Sequence, residues 1–306
     1  MSDIKLFRLS ESTVHEIPGG SFAIEKSLQR LIEQHLETFL GVRFLASEFS
    51  TTKSHGGRID TLGIDDTDCP VIVEYKRALN ENVINQGLFY LNWLMEHRAE
   101  FKLLVMEKLG TAEASRIEWR YPRLICIAAE FTKFDIHAIA QIPQNIDLVR
   151  YRCYGDDLVL LELVGHQSTL PTTSERPQRA LERRSTRNGE EEIGDLLVPS
   201  GYALCSSEVH GWYEQIRAFT LALGDDVEER TLPAYVAFRR LKSFAIVKFQ
   251  HSKHRIVIEV PLPTRLVELE PGFLERQPRN YVRIIVDGPE DLRRAEPIIA
   301  LAYEKS

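Results

Sequence analysis

Residues 56–77 read GGRIDTLGIDDTDCPVIVEYKR, and this stretch is the most informative part of the sequence. Two apolar runs, 58–64 and 70–76, lie on either side of the turn-forming residues 65–69, DDTDC. Side chains of a strand alternate between the two faces of a sheet, and the second run is apolar on both faces. The pattern predicts an antiparallel hairpin whose second strand is central in its sheet.

The hairpin brings two acids together if its turn is symmetric about Thr67. Asp60 then lies directly opposite Glu74, with Cβ atoms about 5 Å apart. Two like charges in this position destabilise a sheet unless something offsets them, and a divalent cation is the simplest remedy. Because hard oxygen ligands suit Mg²⁺ or Mn²⁺, we expect Asp60 and Glu74 to bind one of these ions. Lys76 shares the face of Glu74 and could position an attacking water or stabilise charge on a phosphate.

Three more side chains are candidates for the same site. Glu25 lies on the apolar stripe of a predicted helix, where a charged residue is seldom found unless it is paired or bound to metal. Gln86 and Tyr90 lie one turn apart on the next predicted helix and could orient substrate or the lysine. The simpler alternatives stay open: Glu25 as an acid favoured by the helix dipole, Gln86 and Tyr90 as core hydrogen-bonding groups, and Glu74 with Lys76 as a surface ion pair.

The order of these elements resembles the PD-(D/E)XK nuclease superfamily. The helical Glu25, then Asp60, then Glu74-Tyr75-Lys76 after a gap of thirteen residues, match the order of its signature, and the helix with Gln86 and Tyr90 resembles its RecB-like branch. The sequence of this region is similar to that of a prokaryotic family related to the nuclease domain of an archaeal mismatch and branched-DNA endonuclease. Ile59 stands where the signature has proline. The resemblance covers roughly residues 1–165, and the region 208–304 resembles a companion domain of unknown function.

The resemblance implies cleavage of DNA with Mg²⁺ or Mn²⁺. It assigns metal binding to Asp60 and Glu74, an electrostatic catalytic role to Lys76, and the additional helical glutamate to Glu25. The flanking cations Lys53, Arg58 and Arg77 could contact phosphates or be ordinary surface residues. An inactive module that keeps the nuclease fold and binds nucleic acid or a protein partner is the alternative function.

The remaining pattern predicts an α/β domain with a mixed sheet, followed by a smaller α+β domain. In the first domain we expect strands at 4–9, 43–49, 102–106, 123–129, 146–153 and 157–164 and helices at 22–40, 82–98, 110–119 and 134–141. In the second domain we expect helices at 208–223 and 289–304 and strands at 234–240, 243–249, 255–260 and 281–286.

The domain limits predicted from composition are 1–165, a linker at 166–200 that is rich in Ser, Thr, Pro, Arg and Glu, and 201–306. Its five arginines, which could touch phosphates, are Arg176, Arg179, Arg183, Arg184 and Arg187.

The chain has 306 residues, 38 Lys and Arg against 45 Asp and Glu, and a net charge of −7, so a DNA-binding face must be a local basic patch. No apolar run is long enough to cross a membrane, the N-terminal residues lack the apolar core of a signal peptide, and the four cysteines lack zinc-ligand spacing. We therefore expect a cytoplasmic protein with reduced thiols and no membrane partner. A homodimer and a protein partner for the C-terminal domain remain open.

Overall fold

The computed structural model describes residues 4–10, 12–22, 25–51, 56–76, 83–167, 199, 201–232, 234–278 and 280–306. The chain divides into two compact units, Met1–Thr169 and Leu170–Ser306. The division falls within the predicted linker, most of which lies outside the described residues. The domain limits therefore stay a prediction.

The described part of the first unit combines nine strands with six helices. The strands are β1 Leu6–Ser10, β2 Thr13–Ile17, β3 Gly19–Gly20, β4 Val42–Ser50, β5 Arg58–Asp65, β6 Pro70–Lys76, β7 Arg123–Ala128, β8 Asn145–Tyr154 and β9 Leu158–Gln167. The helices are α1 Glu25–Gln34, α2 Leu36–Leu40, α3 Val83–Glu96, α4 Arg98–Leu109, α5 Thr111–Ala114 and α6 Lys133–Ile139.

The main sheet has the strand order β3-β8-β7-β6-β5-β4, with β9 antiparallel to β8. β4, β5 and β6 are antiparallel neighbours, whereas β6, β7 and β8 run parallel. Parallel neighbours need a crossover connection, which α3, α4 and α5 provide between β6 and β7 and α6 provides between β7 and β8. The predicted α/β class with a mixed sheet and flanking helices is confirmed.

The hairpin of β5 and β6 has the predicted register. Leu62 pairs with Ile72 and Ile64 with Pro70. Asp65 closes the turn because its Oδ1 accepts main-chain N–H groups from Thr67 and Cys69, both at 2.9 Å. A carboxylate that satisfies two turn N–H groups fixes the length of the loop, and loop length fixes the register of a hairpin.

Helices cover both faces of this hairpin. Thr61 faces α1, where its hydroxyl donates to Glu33 Oε1 at 2.6 Å. Leu62 and Ile72 face the other way, into the apolar core formed with Leu91 and other residues of α3. Since β6 is buried from Pro70 to Tyr75, any polar group on it lies in the interior.

Three predictions of local structure differ from the fold. The strand predicted at 102–106 is wrong, because these residues belong to α4, whose buried residues Phe101 and Val105 are one helical turn apart. The helix predicted at 22–40 is interrupted at His35, between α1 and α2. The helix predicted at 110–119 is the single turn of α5. A run of leucine, valine and methionine suits a strand or a helix, and packing decides between them.

The second unit is an antiparallel six-stranded sheet with two long helices in its described part. Its strands are β10 Glu228–Thr231, β11 Val236–Arg239, β12 Ser243–Gln250, β13 Arg255–Val260, β14 Leu274–Gln277 and β15 Tyr281–Val286, and its helices are α7 Ser207–Leu221 and α8 Pro289–Glu304. The predicted α+β class is confirmed, while β10 and β14 were not predicted. Among the described helices of the whole chain, none has the length and apolar character of a membrane span.

Two glycines in helices have opposite surroundings, and they give a test of the packing. A Cβ atom on Gly87 of α3 would lie 2.4 Å from Cδ1 of the buried Leu124 on β7. We expect Gly87→Ala to lower the free energy of unfolding by about 1–3 kcal/mol, because the core must shift to admit the methyl group.

Gly211 in α7 is the matched control, because a methyl group added there would meet no other side chain or strand within 4 Å. Gly211→Ala should raise stability by up to about 1 kcal/mol through the better helix propensity of alanine. Denaturant unfolding of both variants measures the difference, and a Gly87→Ala protein as stable as wild type would contradict this packing.

Candidate active site

The candidate site begins where β5 and β6 separate. The ladder between these strands ends at the Thr61–Val73 pair, and Asp60 and Glu74 occupy the next position of the same register. At this position side-chain carboxylates, instead of main-chain carbonyl groups, accept the main-chain N–H groups. The Asp60 N–H donates to Glu74 Oε1 at 3.1 Å, and the Tyr75 N–H donates to Asp60 Oδ2 at 3.1 Å. Each carboxylate therefore holds the other strand, and both acids are fixed at the point of divergence.

Burial makes this pair of acids electrostatically unusual. The side chain of Glu74 has no exposed surface, and its Oε2 accepts no hydrogen bond from the described residues. Burial and the charge of Asp60 raise the pKa of Glu74 to about 9. Burial also raises the pKa of Asp60, although the Tyr75 N–H and the Lys76 ammonium oppose the shift. A site that disfavours two negative charges binds a cation readily, because the cation removes the cause of the shift.

Lys76 and Glu25 lie beside the pair, as the sequence predicts. Lys76 Nζ is 3.9 Å from Glu25 Oε1, and the lysine side chain is 15% exposed. The positive charge of Lys76 acts on both Asp60 and Glu74, and the negative charge of Glu25 acts on Asp60. The first turn of α1 and the strands β5 and β6 thus place the Lys76 ammonium within electrostatic range of three carboxylates.

The donor set fits a hard divalent cation that keeps part of its water shell. Glu74 Oε2 is a buried carboxylate oxygen with no hydrogen-bond donor among the described residues, and Asp60 lies next to it. Mg²⁺ is commonly held by one or two carboxylates together with water and substrate phosphates. Within the described ranges, however, no three His, Cys, Asp or Glu side chains are grouped so that they could hold a metal ion together. Metal binding by Asp60 and Glu74, with Glu25 as a third ligand, stays a prediction.

Tyr90 of α3 contacts the start of β5. Its hydroxyl oxygen accepts the Arg58 main-chain N–H at 3.1 Å, and Gln86 Nε2 lies 3.5 Å from the same oxygen. Gly57 makes this approach feasible, because a Cβ atom there would be 2.5 Å from Tyr90 Cε1. Tyr90 thus holds the strand that carries Asp60, and Gln86 contacts the Tyr90 hydroxyl. Of the predicted DNA-contacting residues, Arg58 has a side chain that is 65% exposed, while Lys53 and Arg77 lie outside the described residues.

Two residues that hold the same strand from other elements were not predicted from the sequence. Gln29 of α1 is buried, and its amide donates to the Asp60 main-chain oxygen at 2.9 Å. Glu48 of β4 pairs with Arg58 and with Lys26. Gln29 could have been found, since it lies one helical turn after Glu25 on the stripe that faces the sheet. Glu48 could not be assigned without the register of β4.

Comparison with known proteins gives a distant sequence relative. No protein-family model matches the chain. The chain is 28% identical over 260 residues to an uncharacterized protein of Haemophilus influenzae, and the match covers 84% of each chain.

Three solved structures share partial similarity with the chain, each over 43% of its length. They are a repair endonuclease from Pyrococcus abyssi (16% identity, TM-score 0.29), the EndoMS–dsDNA2 complex (18%, 0.26) and EndoMS in its apo form (17%, 0.27). The chain spans about half the length of these proteins: 49%, 47% and 48%. Similarity at this level does not assign an activity to this chain.

The raised pKa of Glu74 predicts how stability depends on pH in the metal-free protein. A carboxyl group with a pKa raised by folding stabilises the fold below its ordinary pKa of 4.5, and the contribution is lost as the pH rises toward about 9. Glu74→Gln carries no charge at any pH. We expect the wild-type protein to lose stability relative to Glu74→Gln across this range, so that the variant becomes the more stable protein at alkaline pH.

Thermal unfolding in the presence of a chelator, at a series of pH values, measures this difference. Glu37→Gln is the control, because Glu37 lies on the exposed side of α2. This variant should follow the wild-type curve. If the stabilities of the wild type and Glu74→Gln changed in parallel with pH, ionisation of Glu74 would not destabilise the fold, and this prediction would be wrong.

Proposed function

We propose that this protein is a metal-dependent nuclease that hydrolyses DNA phosphodiester bonds as an endonuclease. The observation that carries the proposal is the pair of acids Asp60 and Glu74, which are held together by main-chain hydrogen bonds beside Lys76. A buried structural ion pair matches one acid with one base. Here two adjacent acids share one ammonium group, and that ammonium also faces Glu25. Such an excess of negative charge is costly in a fold and useful for holding a cation.

Each residue has a role that follows from its position. Asp60 and Glu74 would hold Mg²⁺ or Mn²⁺, with Glu25 as the third carboxylate. A divalent cation held there would lower the pKa of a water molecule bound to it and would neutralise charge on the phosphate. Lys76 would orient the attacking water and stabilise negative charge on a phosphate oxygen during the displacement.

The surrounding elements keep these groups in place. The Tyr90 hydroxyl holds the main chain at Arg58 from the side of α3, and Gln86 would orient that hydroxyl, so their role would be to position β5. Glu25 lies near Lys76 Nζ and restrains the ammonium group. Lys53, Arg58 and Arg77, which flank the two strands in the sequence, would contact DNA phosphates.

DNA is the proposed substrate because of the resemblance of residues 1–165 to the PD-(D/E)XK superfamily. The location of the site agrees with a ligand-binding role, since β6 and β7 are parallel and Glu74 and Lys76 lie at the carboxyl end of β6. Ligands of sheets with parallel strands bind outside these ends.

Cleavage of a panel of DNA substrates tests the function. We expect the purified protein to cut one or more of a duplex, a single strand, a mismatched duplex or a branched DNA in the presence of Mn²⁺ or Mg²⁺, and to be inactive with chelator. Asp60→Ala, Glu74→Ala and Lys76→Ala should each reduce the rate at least about a hundredfold, since each removes a group that stabilises the transition state or holds the cation.

The control is Asp66→Asn, in the turn at the far end of the same hairpin. It should keep wild-type activity. Cleavage that survives Glu74→Ala or Lys76→Ala would remove the case for this site. DNA binding without turnover under any divalent cation would favour the inactive nuclease-fold alternative.

A further inference from the structure

Glu48 of β4 occupies a conformation that is rare for its residue type. The β4–β5 ladder pairs Ser47 with Thr61 and Phe49 with Ile59, so the position between them places Glu48 opposite Asp60. The φ angle of Glu48 is 52°. This left-handed region is unfavourable for a residue with a side chain, and such strain clusters at functional sites, where the surroundings maintain it.

The Glu48 carboxylate forms ion pairs with two basic side chains from two other elements. It pairs with Lys26 Nζ from the first turn of α1 and with Arg58 Nε from the start of β5. The side chain of Glu48 is 25% exposed, against 41% for Lys26 and 65% for Arg58. The acid is therefore the inner member of this group, which we call the Glu48 cluster, and the two cations are its outer members.

The Glu48 cluster adjoins the pair of acids Asp60 and Glu74. Arg58 precedes Asp60 by two residues on β5, so both side chains lie on the same side of the strand. Lys26 Nζ also donates to Gln29 Oε1 at 3.1 Å, and Gln29 Nε2 donates to the Asp60 main-chain oxygen at 2.9 Å. The two cations thus stand at the rim of the candidate metal site.

A carboxylate placed between two basic side chains can keep them from pairing with the acids of a neighbouring metal site. Lysine and arginine placed beside Asp60 would pair with its carboxylate and compete with a metal ion for it. Glu48 gives both cations another partner. They stay close to the site, while the acids Asp60 and Glu74 remain available.

We propose that Lys26 and Arg58, held by Glu48, form a phosphate subsite for the DNA strand next to the two acids. The inference rests on the proposed nuclease function and names the group that receives the neighbouring backbone phosphate. The cluster carries two positive charges against one negative charge, and its exposed N–H groups can donate charge-assisted hydrogen bonds to phosphate oxygens.

Direct binding of DNA tests the subsite without requiring cleavage. The probe is a short fluorescein-labelled duplex, with the corresponding single strand as a second probe, and the affinity is measured by fluorescence anisotropy in chelator. We expect Lys26→Ala and Arg58→Ala each to weaken binding roughly tenfold and to lower the slope of log K against log salt by about one.

Lys102→Ala is the matched control, because Lys102 is an exposed lysine on α4 of the same unit. It should leave affinity and salt dependence unchanged. If Lys26→Ala and Arg58→Ala also leave both unchanged, the subsite is wrong. In that case a fall in melting temperature for Lys26→Ala would identify the pair with Glu48 as a structural link between α1 and β4.

The role of Glu48 is tested with two variants, because an effect of its backbone conformation must be distinguished from an effect of its carboxylate. Glu48→Gly accepts a φ of 52° and deletes the carboxylate, whereas Glu48→Gln keeps the size of the side chain and removes its charge. We expect the effect of Lys26→Ala on DNA affinity to shrink at least threefold in either background, because the lysine is no longer held. Additive effects in both backgrounds would exclude the positioning role of Glu48.

Failure of the subsite and failure of the nuclease function can be told apart. If no divalent cation supports cleavage but Lys26→Ala and Arg58→Ala weaken DNA binding as expected, the subsite stands and the nuclease function falls. If the protein cleaves DNA and both variants bind and cleave it like wild type, the nuclease function stands and the subsite falls.

Discussion

The exchange of hydrogen bonds between Asp60 and Glu74 is the interaction on which the site depends. At the end of the β5–β6 ladder, the Glu74 carboxylate accepts the main-chain N–H of Asp60, and the Asp60 carboxylate accepts the main-chain N–H of Tyr75. These bonds satisfy backbone groups that would otherwise be buried without partners where the strands separate. They also bring two carboxyl groups together inside the protein. Burial raises the pKa of both acids, and the charge of Asp60 further raises that of Glu74.

The surrounding charges form an ordered pattern around this pair. Lys76 and Glu25 lie on one side, and the Glu48 cluster lies on the other. Acids and bases alternate, so each cation has an acid other than Asp60 or Glu74 as a partner. Strand ends and the first turn of α1 supply these residues, while Tyr90 and Gln29 fasten β5 from two helices. The positions of the candidate groups thus come from strands and a helix, which suits a preorganised site.

The sequence was sufficient to predict the hairpin because its signals are local. The apolar runs 58–64 and 70–76, with five turn-forming residues between them, predict the hairpin. The register by which Asp60 and Glu74 meet then follows if the turn is symmetric about Thr67, as the structure has it. The predicted strand at 102–106 failed for the opposite reason. Its apolar residues carry no decisive period, and burial of Phe101 and Val105 against the core selects the helix.

Glu48 shows what local pattern cannot supply. Phe44 pairs with Gly63, but Ala46 pairs with Leu62, so an irregularity in β4 shifts the register by one residue. Without that shift Glu48 would face Ile59 instead of Asp60. The close approach at Gly63, where a Cβ atom would lie 2.8 Å from the Arg43 main-chain oxygen, is a packing feature that emerges only when the sheet is assembled. The neighbour of a catalytic candidate was therefore hidden even though its strand was predicted.

A crystal structure of the protein soaked in Mn²⁺ tests metal binding by Asp60 and Glu74, because the anomalous signal of manganese locates the ion independently of the protein atoms. We expect one strong peak at coordination distance from oxygen atoms of both Asp60 and Glu74, and no such peak in Glu74→Gln crystals soaked in the same way. Manganese bound elsewhere, with the two carboxylates still joined only through the main chain of β5 and β6, would contradict this expectation.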